Sequence, residues 1–320
     1  MNGVNKMKTK QNIYKAKRGV LEEYKRDLKS NASLYIMVIP VLLFYIIFCY
    51  KPMYGVLMAF QQYSPRTGIW GSPWIGLQNF KDFLTSPDFG RIFRNTLTIS
   101  LTSLIVNFPA PIILALLLNE IRQKCFKSVS QTIMYIPHFI SMVVICGMIR
   151  DFVSDKGIVS QLIAVFTGEQ VNLLNNANLY LPIYILSDTW QGIGWGSVIY
   201  MAALSGVDRE MYEAASIDGC GKWKQTIHIT IPAIVPTIVI MFILRIGNIL
   251  SIGYEKTILL YNPLIYEKAD IISSYVYRQG FEGQNWSYST AVGVFNSVIN
   301  LMLVTLANYI SRKLNDTSLW

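Results

Sequence analysis

Charge is scarce in this chain: Asp, Glu, Lys and Arg make up 15% of its 320 residues, against 52% hydrophobic. The apolar residues fall in long runs that a soluble domain of this size would not need, so the first reading is a membrane protein. Histidine and cysteine are few, two and four. Cys49, Cys125, Cys146 and Cys220 are scattered, three of them in or beside apolar stretches, which excludes a disulfide framework and a metal site. His138 and His228 stand alone beside apolar neighbours and read as structural or interfacial. No phosphate-binding loop occurs: Gly219-Cys220-Gly221-Lys222 is followed by Trp223, and Ser216 holds the place of the first required glycine. Gly192, Gly194 and Gly196 lie inside an apolar run rather than after a strand, which argues for close helix packing and against a dinucleotide loop. No Ser, His and Asp grouping has helical spacing and Asp188 is nearly the only acid inside a span, so a membrane-embedded enzyme is disfavoured. The chain itself is expected to bind no cofactor.

What is present is a set of six stretches long enough to cross the hydrocarbon core, which takes about 20 mostly apolar residues: 34–60, 95–119, 131–149, 180–204, 229–252 and 289–310. The fold class that follows is all-α integral membrane, with six transmembrane helices. Domain 1–33 is a basic tail, 34–313 the transmembrane domain, and 314–320 a short C-terminal tail. Net charge is +9, and nine of the 28 basic residues lie between Lys6 and Lys29, just before the first span. That placement fits a topogenic signal and a contact for anionic lipid rather than nucleic acid. The charged start is too long, and the first apolar run lacks a small-residue cleavage site, for a cleavable signal peptide. Arg122, Lys124 and Lys127, then Arg209, Lys222 and Lys224, then Arg312 and Lys313 all fall on the side of the tail, which the positive-inside rule makes cytoplasmic for both termini. The opposite loops mix signs, through Asp82, Asp88, Asp155, Glu169, Glu267, Lys268, Asp270 and Glu282, and carry Trp70, Trp74 and Trp286 for an interfacial belt. Pro40, Pro52, Pro109, Pro111, Pro137, Pro182, Pro232 and Pro236 lie within or at the edges of spans and predict kinked helices around a cavity.

The most informative stretch is the loop 206–232 between the fourth and fifth spans. Asp208 is a helix N-cap, the next turns are good helix formers, and Gly219 supplies the backbone freedom that ends the helix and turns the chain. A second short helix is expected from Gly221 toward Ile229. Glu213-Ala214-Ala215, then Gly219, then Ile229-Thr230-Ile231-Pro232 resembles the cytoplasmic loop signature of binding-protein-dependent ABC importer permeases, with its spacing intact. Ile231 stands for the usual Leu, Cys220 for a common Ala, and Thr226 for a frequent aromatic. Tyr50-Lys51-Pro52-Met53-Tyr54-Gly55, Gly76-Leu77-Gln78-Asn79-Phe80, Leu117-Leu118-Asn119-Glu120, Tyr135-Ile136-Pro137-His138-Phe139-Ile140-Ser141 and Gly194-Trp195-Gly196 narrow the resemblance to the carbohydrate-importing, polysaccharide-type branch.

That resemblance implies the MetI-like permease fold, with cytoplasmic coupling helices between the fourth and fifth spans that seat on a separate ATPase. Glu213 would make a charged contact there, Ala214 and Ala215 would allow close packing, and Gly219 would set the bend, with Asp218, Ile229 and Pro232 completing the coupling set. It implies a bacterial plasma-membrane location and alternating access driven by ATP and Mg bound on the partner. A second permease subunit, most simply giving a heterodimer, two ATPase subunits and an extracellular solute-binding protein are the implied partners, with a sugar or oligosaccharide as cargo. The same core could carry a peptide, amino acid or polyamine. A secondary transporter or channel would not need the loop and would usually show an internal repeat, which the chain lacks.

Sugars are held by aromatic faces and hydrogen-bonding groups, which nominates Asn107, Trp190, Gln191, Trp195, Tyr200, Asn248, Ser251, Asn296 and Asn300 as substrate-path residues, each with a helix-packing alternative. Arg245 lies ~24 Å up the fifth span from Ile229 at 1.5 Å per residue, where it is expected to snorkel to the outer interface.

Overall fold

The structure, a computed structural model, describes residues 27–168, 172–251 and 253–315. The basic tail up to Arg26, Glu169, Ile252 at the end of the expected fifth span, and residues 316–320 lie outside the described residues. By contact the chain divides into residues 1–57 and 58–320, and each is described by itself. In the first, the apolar run forms all but the last three residues of α1 (Ala32–Phe60), which passes from α-helix through a π-helical stretch at Tyr45–Tyr50 to a 3-10 stretch at Tyr54–Phe60.

In the second, α2 (Gln78–Leu84) precedes α3 (Phe89–Glu120), which is continuous through Pro109 and Pro111 near the start of its second half. Asn79 of α2 donates to the carbonyls of Ala59 (2.8 Å) and Gln61 (3.3 Å) from a buried position. The Gly-Leu-Gln-Asn-Phe segment thus serves the local structure, its asparagine satisfying carbonyls that a helix leaves unpaired at its C-terminal end.

The expected third span is not one straight helix. Lys124–Phe139 (α4) and Met142–Val165 meet at a 98° bend. Pro137 cannot donate into the helix, Ile140 becomes extended, and Ser141 Oγ accepts from the Val144 N–H to begin α5 (Met142–Val153). After α6 (Ile158–Thr167) comes α7 (Ala177–Ser205), whose 29 residues reach ~44 Å. Among the described residues, four helices are long and apolar enough to cross a membrane, α1, α3, Lys222–Gly247 and Trp286–Lys313, or five with the bent pair. α7 has the length but not the apolarity, because Ser187, Asp188, Thr189 and Gln191 interrupt it.

α7 is nevertheless central, packing against both halves of α3, against α4 and against the apolar helix that ends at Gly247. Small residues permit that. A Cβ on Gly194 would lie 1.9 Å from the Met134 carbonyl oxygen, and one on Gly196 2.9 Å from Pro111 Cγ, whereas Gly192 meets nothing within 4 Å. The close-packing reading therefore holds for two of the three glycines.

The loop forms α8 (Arg209–Ile217) and α9 (Lys222–Gln225), and α9 runs on through a π-helical turn into α10 (Ile231–Gly247). The second loop helix is thus the first turn of one long rod. α10 ends at Gly247, five residues short of the expected boundary, and a 3-10 turn follows at Ile249–Ser251. Then come α11 (Tyr254–Leu260), α12 (Tyr266–Ala269), α13 (Ile272–Tyr277) and α14 (Trp286–Asn315). Three buried clusters join these elements: Ile145, Tyr180, Tyr184 and Leu260; Phe83, Ile92, Tyr275 and Val292; and Ala115, Tyr200, Leu204 and Ile234. The helices otherwise show many exposed apolar side chains, as a lipid-facing surface does not need burial in protein.

Candidate functional site

The loop is built as a braced corner. Asp208 Oδ1 accepts from the Glu210 N–H at 3.0 Å, the expected N-cap. Gly219 adopts φ +75°, and the Cys220 N–H returns to the Ala215 carbonyl at 2.8 Å, a left-handed C-terminal turn that glycine takes without strain. Gln225 is buried and donates from Nε2 to Ser216 Oγ and to the Cys220 carbonyl, both at 2.9 Å, which fastens α8 to α9. The Tyr212 hydroxyl meets Thr230 Oγ1 at 3.0 Å and ties α8 to the start of the long rod. Glu213, Ala214, Asp218 and Gly219 are exposed, Ala215 and Ile229 half-buried, and Pro232 follows the π-helical turn within the rod, where it has no N–H to give to the helical ladder. Met211, Ile217 and Trp223 are exposed apolar neighbours on the same corner, Ile217 by 87%.

A cavity of about 380 Å³ lies between α3, α4, α5, α7 and α10. Of the nominated residues it gathers Asn107, Gln191 and Tyr200, and beside them His138, Asp188, Thr189 and Arg245. Asn107 organises its polar wall: Nδ2 donates to Asp188 Oδ2 at 2.7 Å and to Ser103 Oγ at 3.1 Å, while Oδ1 accepts from Thr189 Oγ1. Asp188 Oδ1 pairs with Lys256 Nζ at 3.5 Å. Lys256 is 1% exposed, donates to the Tyr184 carbonyl at 3.0 Å and lies 4.6 Å over the Tyr184 ring. Burial lowers the Lys256 pKa, and the charge and hydrogen bond of Asp188 oppose that shift. Arg245 Nη2 donates to Ser103 Oγ at 2.9 Å. Arg245 therefore turns inward against α3 and does not snorkel outward, because a polar wall offers its guanidinium a partner within the bundle.

Trp195 does not line the cavity but stacks on His138, which does, with rings 4.7 Å apart and 2° from parallel. Trp190 is outside the lining and about half exposed. Asn248, Ser251, Asn296 and Asn300 do not reach the cavity. Asn300 donates to Ser251 Oγ at 2.9 Å, its Oδ1 accepts from the Leu250 N–H at 3.2 Å, Asn296 reaches Ser251 at 3.4 Å, and Asn248 bonds back to the Leu244 carbonyl at 3.2 Å. These bonds join the end of α10 to α14, which is the helix-packing alternative for Ser251, Asn296 and Asn300. The residues that sequence reasoning passed over as site components are Asp188, Thr189, His138 and Arg245. Asp188 and Arg245 had a signal, since a charge within an apolar span is costly and tends to mark a pathway.

A second charge cluster holds the segment between α10 and α14 against α3. Asp270 is fully buried and accepts from Arg278 Nη2 at 2.6 Å and Nη1 at 3.1 Å and from Ser274 Oγ at 2.9 Å, with Arg91 at 3.7 Å. Asn95 of α3 donates to the carbonyls of Glu267 and Asp270 at 2.8 and 3.1 Å. Burial alone would lower the Arg278 pKa, but its hydrogen bonds and charge contact with Asp270 push it above the usual arginine range.

Residues 107–316 match the family model described as the inner membrane component of binding-protein-dependent transport systems. Protein LplB of Bacillus subtilis (strain 168) is 45% identical over 294 residues, 92% of each chain. The polygalacturonan/rhamnogalacturonan transport system permease protein YteP of the same organism is 43% identical over 288 residues, 90% of each. A crystal structure of a bacterial ABC transporter involved in the import of the acidic polysaccharide alginate is matched with TM-score 0.85 and 40% identity, over 92% of this chain and 99% of that one. The class these likenesses define is a membrane permease. The chain belongs to the binding-protein-dependent transport system inner membrane components, the permeases of ABC importers.

Proposed function

We propose that this permease carries a sugar or oligosaccharide inward through a six-span core, α7 serving as the fourth span and the bent pair α4 and α5 as the third. The observation that carries this reading is the cavity itself. Its wall combines the polar groups of Asn107, Asp188, Thr189, Gln191 and Arg245 with the rings of Phe108, His138 and Tyr200, and sugars are bound by such a mixture of hydrogen-bonding groups and aromatic faces. The relatives' names, one of them a permease for polygalacturonan and rhamnogalacturonan, support the same cargo class.

In this reading both termini and the corner of α8 and α9 face the cytoplasm, where Lys and Arg collect. Glu213, Ala214, Ala215, Asp218 and Gly219 present the corner to an ATPase subunit, with Ile229 and Pro232 passing its movement into α10. ATP and Mg are bound on that partner. A second permease subunit and an extracellular binding protein complete the machine, and closure of the ATPase pair drives alternating access. The test is ATP-dependent uptake of labelled oligosaccharides into vesicles holding this chain with its co-purifying subunits, comparing the native loop with Glu213→Ala and Gly219→Pro. Loss of uptake in Gly219→Pro, with the chain still inserted, supports coupling through the corner. Uptake without an ATPase, or uptake untouched by either change, overturns it.

A further inference from the structure

The charges around the cavity do not cancel. Asp188 is its acidic lining residue, and both of its oxygens are engaged, Oδ2 by Asn107 and Oδ1 by the buried ammonium of Lys256. That acid is neutralised from behind, by a residue outside the lining. Arg245 has no such counterpart. It carries five N–H donors and gives one hydrogen bond, to the neutral Ser103, and among the described residues no carboxylate pairs with it. The remaining titratable groups on the wall, His138 and Tyr200, add no negative charge at neutral pH. The sum of fixed charge is one acid, one lysine matched to it, and one arginine over, a net of +1 facing a half-buried cavity where charge acts more strongly than in water.

We infer that this cavity selects an anionic, uronate-bearing oligosaccharide, whose carboxylate is held by Arg245. Arginine is the side chain suited to this, because its planar fork meets a carboxylate through two parallel N–H···O bonds. Asn107 and Gln191 remain for hydroxyl groups, and Asp188, already occupied, presents little field to repel the acid. A neutral sugar would leave the guanidinium in the cavity with no anionic partner, a cost that favours the charged cargo over its uncharged isostere. The inference rests on the sugar-permease reading and names the class of sugar.

The experiment is uptake by the full complex in vesicles of two labelled probes of equal length, trigalacturonate and its carboxyl-reduced neutral counterpart, for the native chain, Arg245→Lys and Arg245→Gln. The quantity read is the ratio of the two uptake rates. Native protein is expected to favour the anionic probe at least tenfold, Arg245→Lys to lower that ratio several-fold by losing the two-pronged contact with the carboxylate, and Arg245→Gln to bring it near one. Because any selection by the binding protein is the same for all three chains, a ratio unchanged in Arg245→Gln overturns the proposal while leaving a sugar permease intact. If neither probe enters although binding protein still stimulates the ATPase, the sugar reading itself fails. Should Arg245→Gln not insert, Arg245→Lys still decides: a several-fold rise in KM for trigalacturonate with no change for the neutral probe supports the contact, and equal effects on both overturn it.

Discussion

Gly253 approaches Tyr184 so closely that a methyl group on its α-carbon would lie 1.6 Å from the Tyr184 hydroxyl oxygen. Gly253 also adopts φ +51°, a conformation that costs other residues strain. It is therefore where the chain leaves the end of α10 and drops onto α7, letting Lys256 reach Asp188. Gly253→Ala should destabilise the protein by about 2–5 kcal/mol, the sum of a steric displacement and a backbone penalty. Thermal unfolding in detergent would show it as a lowered midpoint. An unchanged midpoint would mean that Tyr184 can move aside freely.

The glycines of α7 give an internal control. Gly194→Ala places a Cβ 1.9 Å from the Met134 carbonyl and should cost about 1–3 kcal/mol. Gly192→Ala meets nothing within 4 Å and should leave unfolding unchanged or slightly delayed, since alanine favours the helix. Equal effects from the two would refute close packing between α4 and α7 at Gly194.

Asp188 and Lys256 should behave as one unit. Lys256→Met leaves the acid with Asn107 alone, Asp188→Asn leaves a buried ammonium, and the double change should cost less than the sum by about 0.5–3 kcal/mol. The pH dependence has a defined sign. Burial depresses the folded-state pKa of Lys256 below the ordinary 10.5, so between the folded and unfolded values the unfolded chain binds more protons and stability rises with pH. Below the folded value the full desolvation penalty applies, offset in part by Asp188. Chemical denaturation followed as pH approaches 10.5 should show this rise in the native chain and its loss in Lys256→Met.

Asp270 should be the costliest single acid to alter. It is fully buried and held bidentately by Arg278, so Asp270→Asn strands a half-buried guanidinium and should destabilise by about 3–5 kcal/mol. Protease nicking of the 254–285 segment in intact vesicles would report its release from α3, and a cleavage rate equal to native would argue against this anchoring role.

In the loop, Gln225 is the brace rather than a contact. Gln225→Leu removes the bonds to Ser216 and Cys220 while keeping bulk. ATPase activity stimulated by binding protein should fall several-fold, with chain insertion and unstimulated ATPase activity preserved. Stimulation at the native level would show that α8 and α9 hold their angle without it.

Much of the fold was legible because its signals are local. Apolar runs of membrane length mark α1, α3, α10 and α14, and Asp208 and Gly219 announce the ends of α8 through their own backbone chemistry. The break at Ile140 was harder, since Pro137 is tolerated in many membrane helices and does not by itself dictate a 98° bend. The candidate site was legible in residue type and not in grouping. Asn107, Gln191 and Tyr200 do meet around the cavity, while Asn296 and Asn300, of the same chemistry and equally deep in an apolar run, turn to Ser251 instead.

The sequence alone therefore determined that this is a polytopic membrane helix bundle with a capped loop of importer-permease spacing, because hydropathy, capping and glycine conformations depend on neighbours a few residues apart. Which polar side chains face the cavity, that Arg245 points inward and that Lys256 neutralises Asp188 were decided by tertiary structure. Those pairings join positions 68 to 142 residues apart, and a buried charge or amide settles wherever the packed helices supply its partner.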